Sequence, residues 1–391
     1  MKKIISVFLV LSMILGFNFS VFANSETKNK AENASIGFEI DAKSAVLMEA
    51  TTGEVIYSKN EETSYSPASV TKIMTLLLVA EALKDEMFKL DDMITISGYA
   101  ASMGGSQVFL EEGEKMSVEE LIKCTVISSA NDAAVALSEL VAGSEALFVK
   151  KMNSRAIELG LKGTNFENVT GLDDTTVNHV TSAMDIAIMS CELIKHEVIL
   201  KYSSLWQDTI RNGEFTLTNT NRLVRFYDGC NGLKTGSTDK AGFCMSATAK
   251  RYGMQLIAVV MGAETRDSRN EIAKKLLDYG FSTFSLYSQK ENFIENIPVK
   301  FGAENFCSIY EGNFEKMFEK SKISKIEKVY SIPQSITAPV KRGEEIGKVE
   351  YILEGEKIGE SSIYSKEDIK KITFLELYFK IISAIFCVGK K

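Results

Sequence analysis

Histidine is almost missing from this sequence: the 391 residues contain only His179 and His196. That scarcity excludes a good deal. No HExxH occurs and no Cys/His cluster has zinc-ligand spacing, which argues against a catalytic zinc; no cofactor is expected. A Ser-His-Asp triad would have to draw on one of those two histidines, and the GxSxG elbow is absent. The six cysteines (Cys124, Cys191, Cys230, Cys244, Cys307, Cys387) form no CxxC pair, and most sit in apolar runs. They read as free, mostly buried thiols rather than a disulfide framework. No basic cluster offsets the net charge of -7, which argues against a nucleic-acid partner. Internal repeats and low-complexity tracts are also lacking.

What is present has ordinary globular composition, 45% hydrophobic and 25% charged, in a chain long enough for two or three domains. It starts with a basic MKK, the apolar run IISVFLVLSMILGF and a small-residue VFA ending at Ala23. This is the pattern of a signal peptide (residues 1–23), with an N-terminal membrane anchor as the alternative. The mature chain is then expected to begin near Asn24, outside the cytoplasmic membrane, with residues 24–36 as a flexible segment.

SAVLMEATTGEVIYSKN (44–60) reads as a β-hairpin and SVTKIMTLLLVAEALKD (69–85) as a buried helix. Residues 117–143 suggest two helices broken around Ser128 to Asn131, and further helices are expected over 144–161 and 181–195. A second hairpin over 242–264 and a helix over 267–284 follow. Strands at both ends with helices between them predict an α/β (α+β) domain over 37–285, one antiparallel sheet with an inserted helical lobe. A linker is expected near 285–295. A β-sandwich is expected over 296–370, where three of the four prolines fall. In the tail, 372–391, Thr373, Glu376, Lys380 and Ser383 line one face of an otherwise apolar helix. It is too short and too charged to span a bilayer comfortably. It reads as an amphipathic helix in the membrane interface, with Lys390 and Lys391 near anionic headgroups; a core-packed helix is the alternative.

Three short motifs carry the chemistry. SPASVTKIMT (66–75) places Ser69 and Lys72 three apart at a helix start, on one face. A lysine buried there would lose its charge and take the serine's proton. On this stretch alone, a helix cap beside a solvated lysine is the simpler reading, because Ser-x-x-Lys recurs at Ser25–Lys28 and Ser237–Lys240. SSAND (128–132) offers the Ser129 hydroxyl and the Asn131 carboxamide from one turn, or merely a pair of helix caps. NGLKTGSTDKAGFC (231–244) holds the chain's only KTG, as a Gly-punctuated approach to a strand. Lys234 supplies charge and Thr235 a hydroxyl, and the small Gly236 lets a substrate chain lie against the strand edge; an ordinary polar turn is the alternative.

Taken in order and spacing, SVTK, SAN and KTG resemble the penicillin-binding, active-site-serine superfamily. SSANDAAVALSELVAGSEALFV, MNSRAIELGLKGTNFENVTGLDD, KTGSTDKAGFC and VMGAETRDSR narrow this to the low-molecular-mass D-alanyl-D-alanine carboxypeptidases. The resemblance is dense from Ala42 to Phe284 and weaker in the β domain, where APVKRGEEIGKV has the family's look. It implies a Ser69 nucleophile, a Lys72 base, and a Ser129 proton relay with Lys234 nearby. It further implies Asn131 on the substrate amide, Ser69 and Ser237 N–H groups as oxyanion hole, and Thr235 and Arg269 facing the substrate carboxylate. Some relatives carry histidine where Ser237 stands; Arg266 is close enough to substitute for Arg269, and His179 is expected to be structural. The implied reaction removes the terminal D-alanine from peptidoglycan pentapeptides at the outer membrane face, with β-lactams acylating Ser69. Rival readings are a D,D-endopeptidase, a class A β-lactamase and an inactive penicillin-binding scaffold. The β-lactamase reading lacks its E-x-x-L-N pattern between Asn131 and Lys234.

Overall fold

The computed structural model describes residues 37–174 and 176–387. The expected leader, its cleavage site, Lys390 and Lys391 lie outside these residues. The larger domain is built on five antiparallel strands. β1 (Ser44–Glu49) and β2 (Val55–Lys59) form the first hairpin. β3 (Cys230–Thr238), β4 (Gly242–Arg251) and β5 (Met254–Ala263) return from far along the chain. The sheet order is β2-β1-β5-β4-β3, with β1 and β5 paired from Ser44↔Met261 to Glu49↔Leu256.

Both faces of this sheet are covered, which is why β1 and β5 show no polar alternation. Val46, Met48, Ile257, Val259 and Met261 join the core of the helical lobe. Ala45, Leu47, Leu256, Ala258 and Val260 pack with Ile272, Ala273, Leu276 and Leu277 on the opposite side. The lobe holds α1 (Lys72–Lys84), α2 (Val118–Ile127), α3 (Asn131–Ala142), α4 (Glu145–Glu158) and α5 (Ala183–Leu193). The opposite side is α6 (Arg266–Thr283), which opens on a Thr265–Ser268 capping box. α1 is apolar around its circumference because it runs through the lobe's interior. The expected break in residues 117–143 falls between α2 and α3, where Ser129 takes a left-handed φ of 61°.

Two expectations need correction. KTG is not on the approach to a strand but inside β3, the sheet's edge strand. Residues 285–295 are not a free linker. The strand Phe284–Gln289 follows α6 directly and pairs with Phe314–Glu319, and Asn292–Lys300 is already the next strand. Tyr287 explains the pairing: its ring packs edge-on against Phe314 and Tyr351, so this stretch is anchored in the second domain. That domain is β-rich, with a six-stranded sheet beside the two-stranded ribbon. Its core includes Ile297, Cys307, Ile309, Val349, Tyr351 and Ile363. The tail forms α7 (Phe374–Cys387). Among the described residues no helix is long and apolar enough to cross a membrane.

Candidate active site

The serine turn lies between the sheet edge and the lobe. Ala68–Thr71 is a 3₁₀ turn running into α1, and the residue before α1 is Thr71, so Ser69 does not cap that helix. The tighter turn still brings the pair together: Lys72 Nζ is 3.0 Å from Ser69 Oγ. Gly236 has a use its sequence context did not suggest. A Cβ there would lie 2.6 Å from the Ser69 nitrogen and 2.9 Å from the Val70 nitrogen. Only a glycine lets β3 run this close to the serine turn.

Lys72 is fully buried and has three polar neighbours: Ser69 Oγ, Asn131 Oδ1 at 2.6 Å and Thr170 O at 3.0 Å. The Asn131 amide has a settled orientation, since its Nδ2 donates to the Gly104 carbonyl at 2.6 Å. Asn131 Oδ1 and Thr170 O can therefore only accept. A neutral amine has two hydrogens and one lone pair. In that neutral form both hydrogens go to those two oxygens, which leaves the lone pair to accept from the Ser69 hydroxyl; in the charged form all three N–H groups donate, one of them to Ser69 Oγ. Burial drives the Lys72 pKa well below the usual lysine range; the nearby charge of Lys234 lowers it further, and buried Asp132 opposes both.

A second Ser–Lys pair lines the same cleft. Lys234 Nζ donates to Ser129 Oγ at 2.7 Å and to the Thr235 carbonyl at 3.1 Å. Burial first, then the charge of Arg269, lowers the Lys234 pKa to about 7. Thr235 Oγ1 donates to Thr220 Oγ1 at 2.8 Å, making a hydroxyl pair beside Ser69. Ser237 is exposed at the rim. Arg269 is buried, and its guanidinium is occupied by Asn270 Oδ1 at 2.9 Å and the Cys244 carbonyl at 3.4 Å. Arg266, one turn earlier, borders the cleft and is exposed. The structure thus gathers all nine expected residues around one cleft: Ser69, Lys72, Ser129, Asn131, Lys234, Thr235, Gly236, Ser237 and Arg269.

Sequence reasoning missed several partners. Thr220 and Ser106 line the cleft, and the Thr170 carbonyl touches Lys72. Asp132, the residue after Asn131, is buried and accepts the Val108 and Leu110 N–H groups at 3.1 Å each, fixing the loop beside Gly104. A signal existed for Thr170. Its loop reads NVTGL, and Asn168 Oδ1 accepts from Gly171 N at 2.7 Å in a side-chain turn of the kind Asn-x-x-Gly favours.

Residues 27–265 match the family described as D-alanyl-D-alanine carboxypeptidase, peptidase S11. Residues 281–371 match the penicillin-binding protein 5 C-terminal domain. The chain is 43% identical over 387 residues to the D-alanyl-D-alanine carboxypeptidase DacF of Bacillus subtilis, covering 96% of this chain and 97% of that one. It is similar to the solved structure of penicillin binding protein 5 from Haemophilus influenzae. There the TM-score is 0.72 at 32% identity, over 85% of this chain and 99% of the other. A likeness confined to 62% of this chain, but 99% of the other, is to penicillin-binding protein D2 from Listeria monocytogenes in its ampicillin-bound form (TM-score 0.55, 32% identity).

Proposed function

The chain belongs to the D-alanyl-D-alanine carboxypeptidase family of penicillin-binding serine hydrolases, and from that premise we propose that Ser69 is acylated by the D-Ala-D-Ala end of a peptidoglycan pentapeptide. The observation that carries this reading is buried Lys72 Nζ 3.0 Å from Ser69 Oγ, with Asn131 Oδ1 and the Thr170 carbonyl placed to take both hydrogens of the neutral amine. As Oγ bonds to the carbonyl carbon of the penultimate D-alanine, Lys72 takes its proton. Negative charge then develops on the former carbonyl oxygen. The backbone N–H groups of Ser69 and Ser237 receive it where β3 meets the serine turn. Collapse breaks the C–N bond. The departing nitrogen takes the Ser129 hydroxyl proton, and Lys234 replaces it; a pKa of about 7 suits a group that both holds and gives a proton. Water then hydrolyses the Ser69 ester.

The substrate's terminal carboxylate fits the Thr235–Thr220 hydroxyl pair, with Arg266 and Arg269 supplying positive charge. The Asn131 amide already serves Lys72 and Gly104, so its first role is to aim the base; one Nδ2 hydrogen remains for a substrate amide. A penicillin presents the same acylating carbonyl, and we extend the ampicillin binding of the Listeria relative to Ser69 here. The test is release of free D-alanine from a D-Ala-D-Ala peptide beside a Ser69→Ala control. Release is expected only from the unaltered enzyme; equal release from both rejects the assignment.

We also propose that the protein is exported and rests on the outer membrane face through α7. Phe374, Leu375, Tyr378 and Phe379 are exposed, whereas Lys380 turns inward to the Ala303 carbonyl at 2.6 Å. An apolar face turned outward suits the lipid interface. Deleting residues 372–391 is expected to move the enzyme from the membrane to the soluble fraction, and continued membrane retention rejects the anchor.

A further inference from the structure

Behind the reacting groups, a hydrogen-bond chain ends on the nucleophile's own turn. The Glu167 N–H donates to His179 Nδ1 at 3.0 Å. A backbone N–H can only donate, so Nδ1 is bare and Nε2 carries the proton. Nε2 is 2.7 Å from Thr71 Oγ1 and donates to it, and Thr71 Oγ1 spends its own hydrogen on the Ala68 carbonyl at 2.8 Å. Thr71 and His179 are each 1% exposed, and neither borders the cleft.

The carbonyl at the end of that chain belongs to a strained residue. Ala68 immediately precedes Ser69 and holds a left-handed φ of 48°. For a residue with a Cβ this conformation needs outside support. Gly171 presses on the same point: a Cβ there would lie 1.8 Å from the Ala68 oxygen and 2.7 Å from Thr71 Oγ1. The loop supplying these contacts is internally braced. Glu167 accepts from Val177 N at 2.8 Å and Asn178 N at 3.1 Å, and Asn168 holds Gly171. Its Thr170 carbonyl also takes a Lys72 hydrogen. Residues 167–171 and His179 therefore grip the serine turn on both sides of Ser69, at Ala68 through His179 and Thr71, and at Lys72 directly.

We propose that Thr71 and His179 are positioning residues for the acylation step, holding the left-handed Ala68 turn so that Ser69 Oγ stays in line with Lys72. This rests on the reading of Ser69 as nucleophile and Lys72 as base. The burial that lowers the His179 pKa to about 4 keeps the ring neutral, as one bare nitrogen and one N–H require.

The test compares Thr71→Val, Thr71→Ser, His179→Gln and the Thr71→Val/His179→Gln double variant in the full chain. The readouts are the rate constant for acylation by a fluorescent penicillin, kcat and KM for a D-Ala-D-Ala peptide, and the thermal midpoint. Thr71→Val is expected to slow acylation at least about tenfold with KM little changed, since small misalignment of reacting atoms costs rate rather than binding. Thr71→Ser keeps the hydroxyl and should recover most of the rate. The double variant should be no slower than Thr71→Val, because His179 acts only through that hydroxyl. A purely structural role instead predicts a lower thermal midpoint with normal acylation by the folded fraction. Wild-type acylation in Thr71→Val, equal losses in Thr71→Ser and Thr71→Val, or losses that multiply in the double variant would each overturn the proposal. If Thr71→Val does not fold, the pair His179→Gln (slow) and Thr71→Ser (fast) decides it in the same way. A Ser69→Ala control separates the layers: acylation persisting there overturns the nucleophile assignment, whereas its loss beside a normal Thr71→Val overturns only this inference.

Discussion

Replacing Gly236 with alanine probes how closely the sheet edge and the nucleophile must fit. The added Cβ would sit 2.6 Å from the Ser69 nitrogen and 2.9 Å from the Val70 nitrogen. Non-bonded heavy atoms settle at about 3.5 Å or more, so one side must retreat by roughly 1 Å. Both sides are backbone. β3 is held by its ladder to β4, where Gly236 pairs with Cys244, and the serine turn is held by Lys72 and Thr71. A displacement of that size at a reacting atom costs about a hundredfold in rate. Gly236→Ala should therefore acylate about a hundredfold more slowly with a fluorescent penicillin and release D-alanine correspondingly slowly. The cores on either side of the sheet do not include Gly236, so circular dichroism should remain that of a folded protein. Acylation within about threefold of the parent would refute the reasoning, because 1 Å of misplacement would then have cost almost nothing.

Other expectations follow from single groups. Arg266→Ala should raise KM for a D-Ala-terminated peptide about tenfold with little change in kcat, the loss of one charge-assisted contact; Michaelis kinetics against Arg269→Ala would show which cation meets the carboxylate. In the β-rich domain, buried Glu311 accepts from Lys328 at 2.9 Å and from the Tyr351 hydroxyl at 2.6 Å. Glu311→Ala should destabilise that domain by about 3 kcal/mol, by stranding its partners, with penicillin acylation unchanged; calorimetry beside the acylation assay checks both halves.

Much of this arrangement was legible in residue order. The hairpins over 44–60 and 242–264, with helices between them, told of one antiparallel sheet with an inserted helical lobe. SVTK, SAN and KTG told which side chains would meet. What could not be read was contact at a distance. Nothing local says that the bare Cα of Gly236 faces the Ser69 nitrogen, or that the Thr170 carbonyl takes a hydrogen from Lys72. His179 looked like a lone structural histidine because its partners, Glu167 and Thr71, are defined only once the loop folds over α1. The linker expectation failed for a related reason. Tyr287 and Leu286 find partners in the second domain and in the α6 core, which no local pattern reveals.

The central claim is that Lys72 is neutral and poised beside Ser69, and the pH dependence of the acylation rate constant tests it most directly. A lysine with a lowered pKa gains its free base at lower pH, so the ascending limb should lie well below the ordinary lysine range. Lys234, at about 7, loses the proton it would pass to the leaving group as pH rises, which sets the descending limb. No increase in rate is expected between about pH 8 and pH 10. A rate that keeps climbing through that interval, as an ordinary lysine sheds its proton, would contradict it.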